Sequence, residues 1–123
     1  MKIKNYEAIN TYAKLGEILN NYSFKARVCQ IIVKNKNKLK EIVDNFEEAR
    51  QTLVKSLADK DENGEPLVEN DNYVIKDREK LNKEFMELQT IETEVEFDKI
   101  SIDDLADKEI NGADYEVLSI FID

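Results

Sequence analysis

The sequence predicts a mainly α protein: a long antiparallel helical pair with a small β-hairpin at its tip and a short C-terminal strand-plus-helix segment. Three observations carry this expectation. Apolar residues recur at alternating steps of four and three from Val28 to Leu57, the spacing that keeps one seam of a helix turned toward a partner helix. Only three glycines and one proline punctuate the 123 residues, too few for a sandwich or barrel, which spends turn residues about every 8–12 positions. Hydrophobic residues make up 41% and charged residues 37% of the chain, a balance suited to long exposed helices around one core. At this length one domain, 1–123, is expected.

Each element follows from local pattern. Tyr6, Ile9, Tyr12 or Ala13, and then Gly16 or Ile18-Leu19 return near the helical period until Asn20-Asn21-Tyr22-Ser23 breaks it. Ser23 is placed to cap the next helix. That helix runs from about Phe24 to Leu57, and its coiled-coil-like seam is Val28, Ile32, Asn35, Leu39, Ile42, Phe46, Ala49, Leu53 and Leu57. At ~1.5 Å per residue it extends for ~50 Å. Asn35 interrupts the seam; it either fixes register or partner choice at some cost in stability, or is solvated where the bundle splays.

Beyond the long helix, Asp61-Glu62-Asn63-Gly64-Glu65-Pro66 is turn-rich. Leu67-Val68 and Tyr73-Val74-Ile75 flank a second polar break at Glu69–Asn72. Two short strands across that break make a hairpin; a disordered loop is the alternative. A third helix starts at Lys76-Asp77 with Asp77 as cap. It presents Leu81, Phe85, Leu88 and Ile91 or Glu92 to the long helix, packed antiparallel. Thr93 to Ile100 alternates polar and apolar, the mark of a half-buried strand lying on the helices. Ser101-Ile102-Asp103-Asp104 resembles a capping box. Asn111 with Asp114 three residues later opens a final helix expected to bury Tyr115, Leu118 and Ile122.

The net charge of −9 conceals a division. Residues 1–60 carry 12 Lys+Arg against 7 Asp+Glu, or +5, and residues 61–123 carry 6 against 20, or −14. The sharpest basic stretch, Lys25 to Lys40, contains no acid, and the densest acidic stretch runs from Glu92 to Glu109. Either the two meet and partly neutralise each other, or each is an outward binding surface. The acidic candidates for partner binding are Glu92, Glu94, Glu96, Asp98, Asp103 and Asp104. Twenty acids cannot all be matched by the twelve bases of the other half, which favours an outward acidic surface. The overall acidity argues against direct nucleic-acid binding by the basic helix, despite its one-signed charge.

Chemistry finds few footholds. There is no histidine, which removes the commonest general base, the His-activated nucleophiles and the usual zinc ligand. No catalytic residue and no cofactor is expected. The single cysteine, Cys29, lies beside Val28, Ile31 and Ile32 and is expected to be a buried thiol behaving as a small hydrophobe. Asp59, Asp61, Asn63 and Gly64 fall at positions 1, 3, 5 and 6 of a calcium-binding EF-hand loop, but Pro66 and Asn70 occupy positions 8 and 12. Asn70 cannot supply the bidentate carboxylate that closes the coordination sphere, so the segment reads as a turn and no metal is expected. The start of the chain lacks the apolar run of a signal peptide, and no stretch approaches the roughly 18 apolar residues of a membrane span. The expected location is the cytoplasm of a bacterial host cell, with no membrane partner.

The opening Met1-Lys2-Ile3-Lys4-Asn5-Tyr6-Glu7, the Lys60 to Pro66 turn, Glu84-Phe85 with Glu87-Leu88, Glu94-Val95-Glu96, Glu109-Ile110-Asn111-Gly112-Ala113-Asp114, Leu118 and Phe121-Ile122 together resemble a family of small uncharacterised proteins encoded by bacteriophages and prophages, chiefly of Gram-positive hosts. The resemblance is scattered along the chain and weakest in the long basic helix. It implies a phage context and brings no catalytic residues with it. In that context the expected function is that of a non-enzymatic accessory protein acting by protein–protein binding on a host or phage protein. One alternative is an acidic inhibitor of a host defence nuclease, of the anti-CRISPR or anti-restriction type, that imitates DNA before a nucleic-acid-binding target. The other is a phage assembly chaperone.

Overall fold

The computed structural model describes Met1 to Asp123 throughout. It is mainly helical with minor β structure, ordered as β1 (Lys2–Lys4), α1 (Asn5–Asn21), α2 (Ala26–Leu57), β2 (Val68–Glu69), β3 (Asn72–Tyr73), α3 (Arg78–Thr90), β4 (Glu92–Glu94), a 3-10 turn (Ile102–Leu105) and α4 (Gly112–Ser119). No helix is long and apolar enough to cross a membrane.

The long helix has the seam its periodicity predicts. Val28, Ile32, Asn35, Leu39, Ile42 and Phe46 are buried, and Ala49, Leu53 and Leu57 are half-buried. Its partners change along its length. The first half packs on α1, through Ala8, Leu15 and Ile18, and on the C-terminal segment, where the Phe97 and Phe121 rings meet edge to face at 4.9 Å. Only from Phe46 onward does the seam face α3, with Phe46 and Phe85 6.0 Å apart. Arg50 and Val54 neighbour Arg78 and Leu81, whereas Asn45 neighbours Leu88 and Ile91, so α2 and α3 run antiparallel. The core therefore sits at one end, and the α2–α3 pair projects from it as an arm. No residue of α3 is fully buried.

The tip is the expected hairpin. Val68 pairs with Tyr73 and Glu69 with Asn72. Asn70 and Asp71 form the turn with φ of 52° and 65°, the left-handed conformation at both central positions that a two-residue hairpin loop requires. The adjoining Asp61 loop ties itself together: the Asp61 carboxylate accepts hydrogen bonds from the amides of Asn63 at 2.9 Å and Glu65 at 3.0 Å. Helix caps at Asp77 and Asn111 are as expected, accepting from the amides of Lys80 at 3.0 Å and Asp114 at 2.9 Å.

Several expectations are corrected. The alternating stretch from Thr93 to Ile100 is a strand only over Glu92–Glu94, because its partner, β1, is three residues long. Ser23 does not cap α2; the helix begins two residues beyond Phe24, with Lys25 as its last extended residue. Ser101 flanks the 3-10 turn without a side-chain cap. Cys29 is exposed, since Val28 and Ile32 take the seam and the next position turns about 100° away. Tyr115 is exposed for the same reason, with Asp114 and Leu118 taking the inner face of α4.

Candidate interaction surfaces

The six acidic candidates separate into two groups. Glu92 and Glu94 stand in β4 opposite Lys4 and Lys2 in the antiparallel ladder, an arrangement of opposite charges that supports cross-strand pairing. Both carboxylates are exposed, as are Glu96 and Asp103. Asp98 instead turns back onto α2, with its carboxylate 3.4 Å from the Lys38 ammonium and 3.8 Å from that of Lys34. Asp104 lies 3.3 Å from the Arg27 guanidinium and is four-fifths buried. The basic and acidic stretches thus do meet, through Arg27, Lys34 and Lys38, while four of the six acids remain outward.

Asn35 organises this meeting. Fully buried, its amide nitrogen donates to the Asp98 carbonyl and its amide oxygen accepts from the Asp98 amide, both at 2.9 Å. A side chain here takes the place of a neighbouring strand, which holds residues 95–98 against α2 and directs Asp98 toward the lysines. Lys38 adds a bond to the Glu96 carbonyl at 2.7 Å. A second polar anchor closes the base: the Tyr22 hydroxyl donates to the buried Asp114 carboxylate at 2.8 Å, which also accepts from the Asn111 side chain at 2.9 Å.

The arm carries a feature that the sequence does not announce. Along one side of the α2–α3 junction run two adjoining hollows of about 630 and 400 Å³ that share Asn45, Ala49, Leu88 and Ile91. Their floor is apolar: Ile42, Phe46, Ala49, Leu53 and Leu88. Their walls carry Glu41 and Glu48 from α2, Glu84 and Glu87 from α3, and Glu94 from β4. The one lysine along this line, Lys38, is engaged with Asp98 and Glu96, and the N-terminal ammonium pairs with Glu94 at 3.0 Å. Ile91, at the centre, is half exposed. The chain matches no family model, no curated protein and no solved structure.

Elsewhere on α2 the titration shifts belong to local pairs. Glu47 is held below its ordinary value of 4.5 chiefly by a hydrogen bond from Arg50, whose own value is raised by the same bond. The Lys40 ammonium is raised by its hydrogen bond to Asp44. These are exposed helix-face pairs of the kind that adds little to stability.

Proposed function

We propose that this protein acts without catalysis, by binding another protein through the projecting α2–α3 arm, in the phage or prophage setting that the resemblance implies and within a bacterial cytoplasm. The observation that carries the reading is the arm itself. A helix of 13 residues with none fully buried packs on α2 and leaves beside Ala49, Leu53, Leu88 and Ile91 an open apolar line that a partner can cover. Co-purification of the tagged full chain from host cells after cross-linking tests it. Enrichment of one protein beyond a control domain of equal charge is expected; none would overturn the reading.

A second reading keeps support from a specific observation. Glu92, Glu96 and Asp103 are exposed and make no ion pair, and Glu94 is exposed with only the N-terminal ammonium as its partner, as an inhibitor imitating DNA before a nuclease requires. The assembly chaperone is one version of the first reading and shares its test.

A further inference from the structure

We propose that the groove along α2 and α3 receives an amphipathic helix of a partner protein whose apolar stripe is flanked by Lys or Arg. The inference rests on the protein-binding reading and adds where the partner sits and what its chemistry is.

Shape gives the first argument. On α2 the groove extends from Lys38 to Ser56, ~27 Å at ~1.5 Å per residue, the length of a five-turn helix. Glu41, Asn45, Glu48, Thr52 and Ser56 form its wall at steps of four and three, so they make one ridge on the side of α2 next to the seam. A straight wall beside a continuous apolar floor is what an added helix packs into. Two helices laid side by side leave such a furrow between them, and a third completes the core they start.

Charge gives the second argument and selects the occupant. Five glutamates border the groove; Glu94 is paired with the N-terminal ammonium at 3.0 Å and the single lysine with Asp98, which leaves Glu41, Glu48, Glu84 and Glu87 without an ion-pair partner. This is not an average over an acidic protein. The opposite side of the same arm is lined by Lys55 and Arg78, with Asp71 as its acid and with Arg50, which is paired with Glu47. The polarity of the arm is therefore set face by face, and the grooved face is complementary to a basic-flanked helix.

Fluorescence anisotropy with two synthetic peptides of about 18 residues tests this, both carrying one leucine stripe at helical spacing, one flanked by lysines and one by glutamates. The lysine peptide should bind the full chain at least about ten-fold more tightly than the glutamate peptide at physiological salt. Ile91→Asp and the pair Glu84→Lys/Glu87→Lys should each weaken it about ten-fold or more. The pair Glu62→Lys/Glu69→Lys, which changes net charge equally at the hairpin tip, should leave it unchanged. Equal loss from the tip pair would assign the binding to diffuse charge and overturn the proposal, as would equal affinity for both peptides. A dimer of this chain in sedimentation that Ile91→Asp abolishes would place a second copy in the groove and overturn it also. A partner captured equally by wild type and Ile91→Asp would overturn the groove while leaving the protein-binding reading intact.

Discussion

Asn35→Leu separates two accounts of a polar residue in an apolar seam. In a free-standing helical pair a buried amide costs stability, and leucine at its position raises it. Here the amide makes two hydrogen bonds of 2.9 Å to the backbone of Asp98 from a fully buried position. Leucine removes both, at about 1 kcal/mol net each, and strands an amide and a carbonyl whose desolvation adds further cost. Its larger branched side chain must also fit beside Ile32 and Leu39, where excess volume costs about 1–3 kcal/mol and offsets the gain in apolar burial. A net loss of about 2–4 kcal/mol is expected, lowering the thermal midpoint by ~8–15 °C for a chain of this length. Urea denaturation measures it, and amide exchange at Asp98 should accelerate in the folded variant. Asn35→Asp should do no better, since it accepts from the Asp98 amide but cannot donate to its carbonyl. A leucine variant as stable as the parent would refute the reasoning.

Three further outcomes follow from the same contacts. Phe46→Ala, at a side chain only 7% exposed where the seam passes from the body to the arm, should cost about 3–5 kcal/mol in chemical denaturation; a loss near zero would show that the ring is not packed against Phe85. Tyr22→Phe should cost about 1–3 kcal/mol by removing a hydrogen bond to a buried carboxylate, and α4 should become more sensitive to proteolysis; unchanged stability would dismiss the anchor. Calcium should leave the thermal midpoint unchanged, because the Asp61 carboxylate is already taken by its own loop and Asn70 belongs to the hairpin turn; a midpoint that climbs at micromolar calcium would restore the EF-hand reading.

Long-period features were legible in the sequence, and features that depend on distant partners were not. The seam of α2 is readable because nine positions repeat one spacing, and the hairpin because a polar break separates two short apolar runs. β1 escapes because Lys2-Ile3-Lys4 offers one apolar residue, too little for any periodicity; only β4, far along the chain, makes it a strand. The alternation from Thr93 to Ile100 has a different cause from the one it suggests: Phe97 turns into the core and Asp98 is drawn back by Asn35, 63 residues away. Glutamates 41, 48, 84 and 87 look like solvated helix faces until α3 lies on α2 and makes them opposing walls. Their only sequence signal is that Glu41 and Glu48 stand one position before the seam residues Ile42 and Ala49.

The acidic segment offers a last test. Neutralising Glu92, Glu94, Glu96 and Asp98 together mixes two kinds of residue, because Asp98 is bound to Lys34 and Lys38 whereas the other three face outward, Glu94 in a solvent-exposed pair with the N-terminal ammonium. Asp98→Asn alone should lower stability by at most about 1 kcal/mol, since the pairs it loses are partly solvent-screened and its backbone remains held by Asn35. The triple variant Glu92→Gln/Glu94→Gln/Glu96→Gln should leave stability within about 0.5 kcal/mol of the parent, as expected for exposed positions away from the core. If the protein occupies a nuclease channel in place of DNA, that triple variant should bind the nuclease more weakly. The parent's affinity should also fall steeply with salt, because charges separated by more than about 8 Å are screened at physiological ionic strength. With Asp98 and Asp104 tied to the basic helix, such mimicry rests on Glu92, Glu94, Glu96 and Asp103. Equal affinity at low and high salt, with the triple variant fully binding, would end it and leave apolar contact along the arm as the account of how this protein binds.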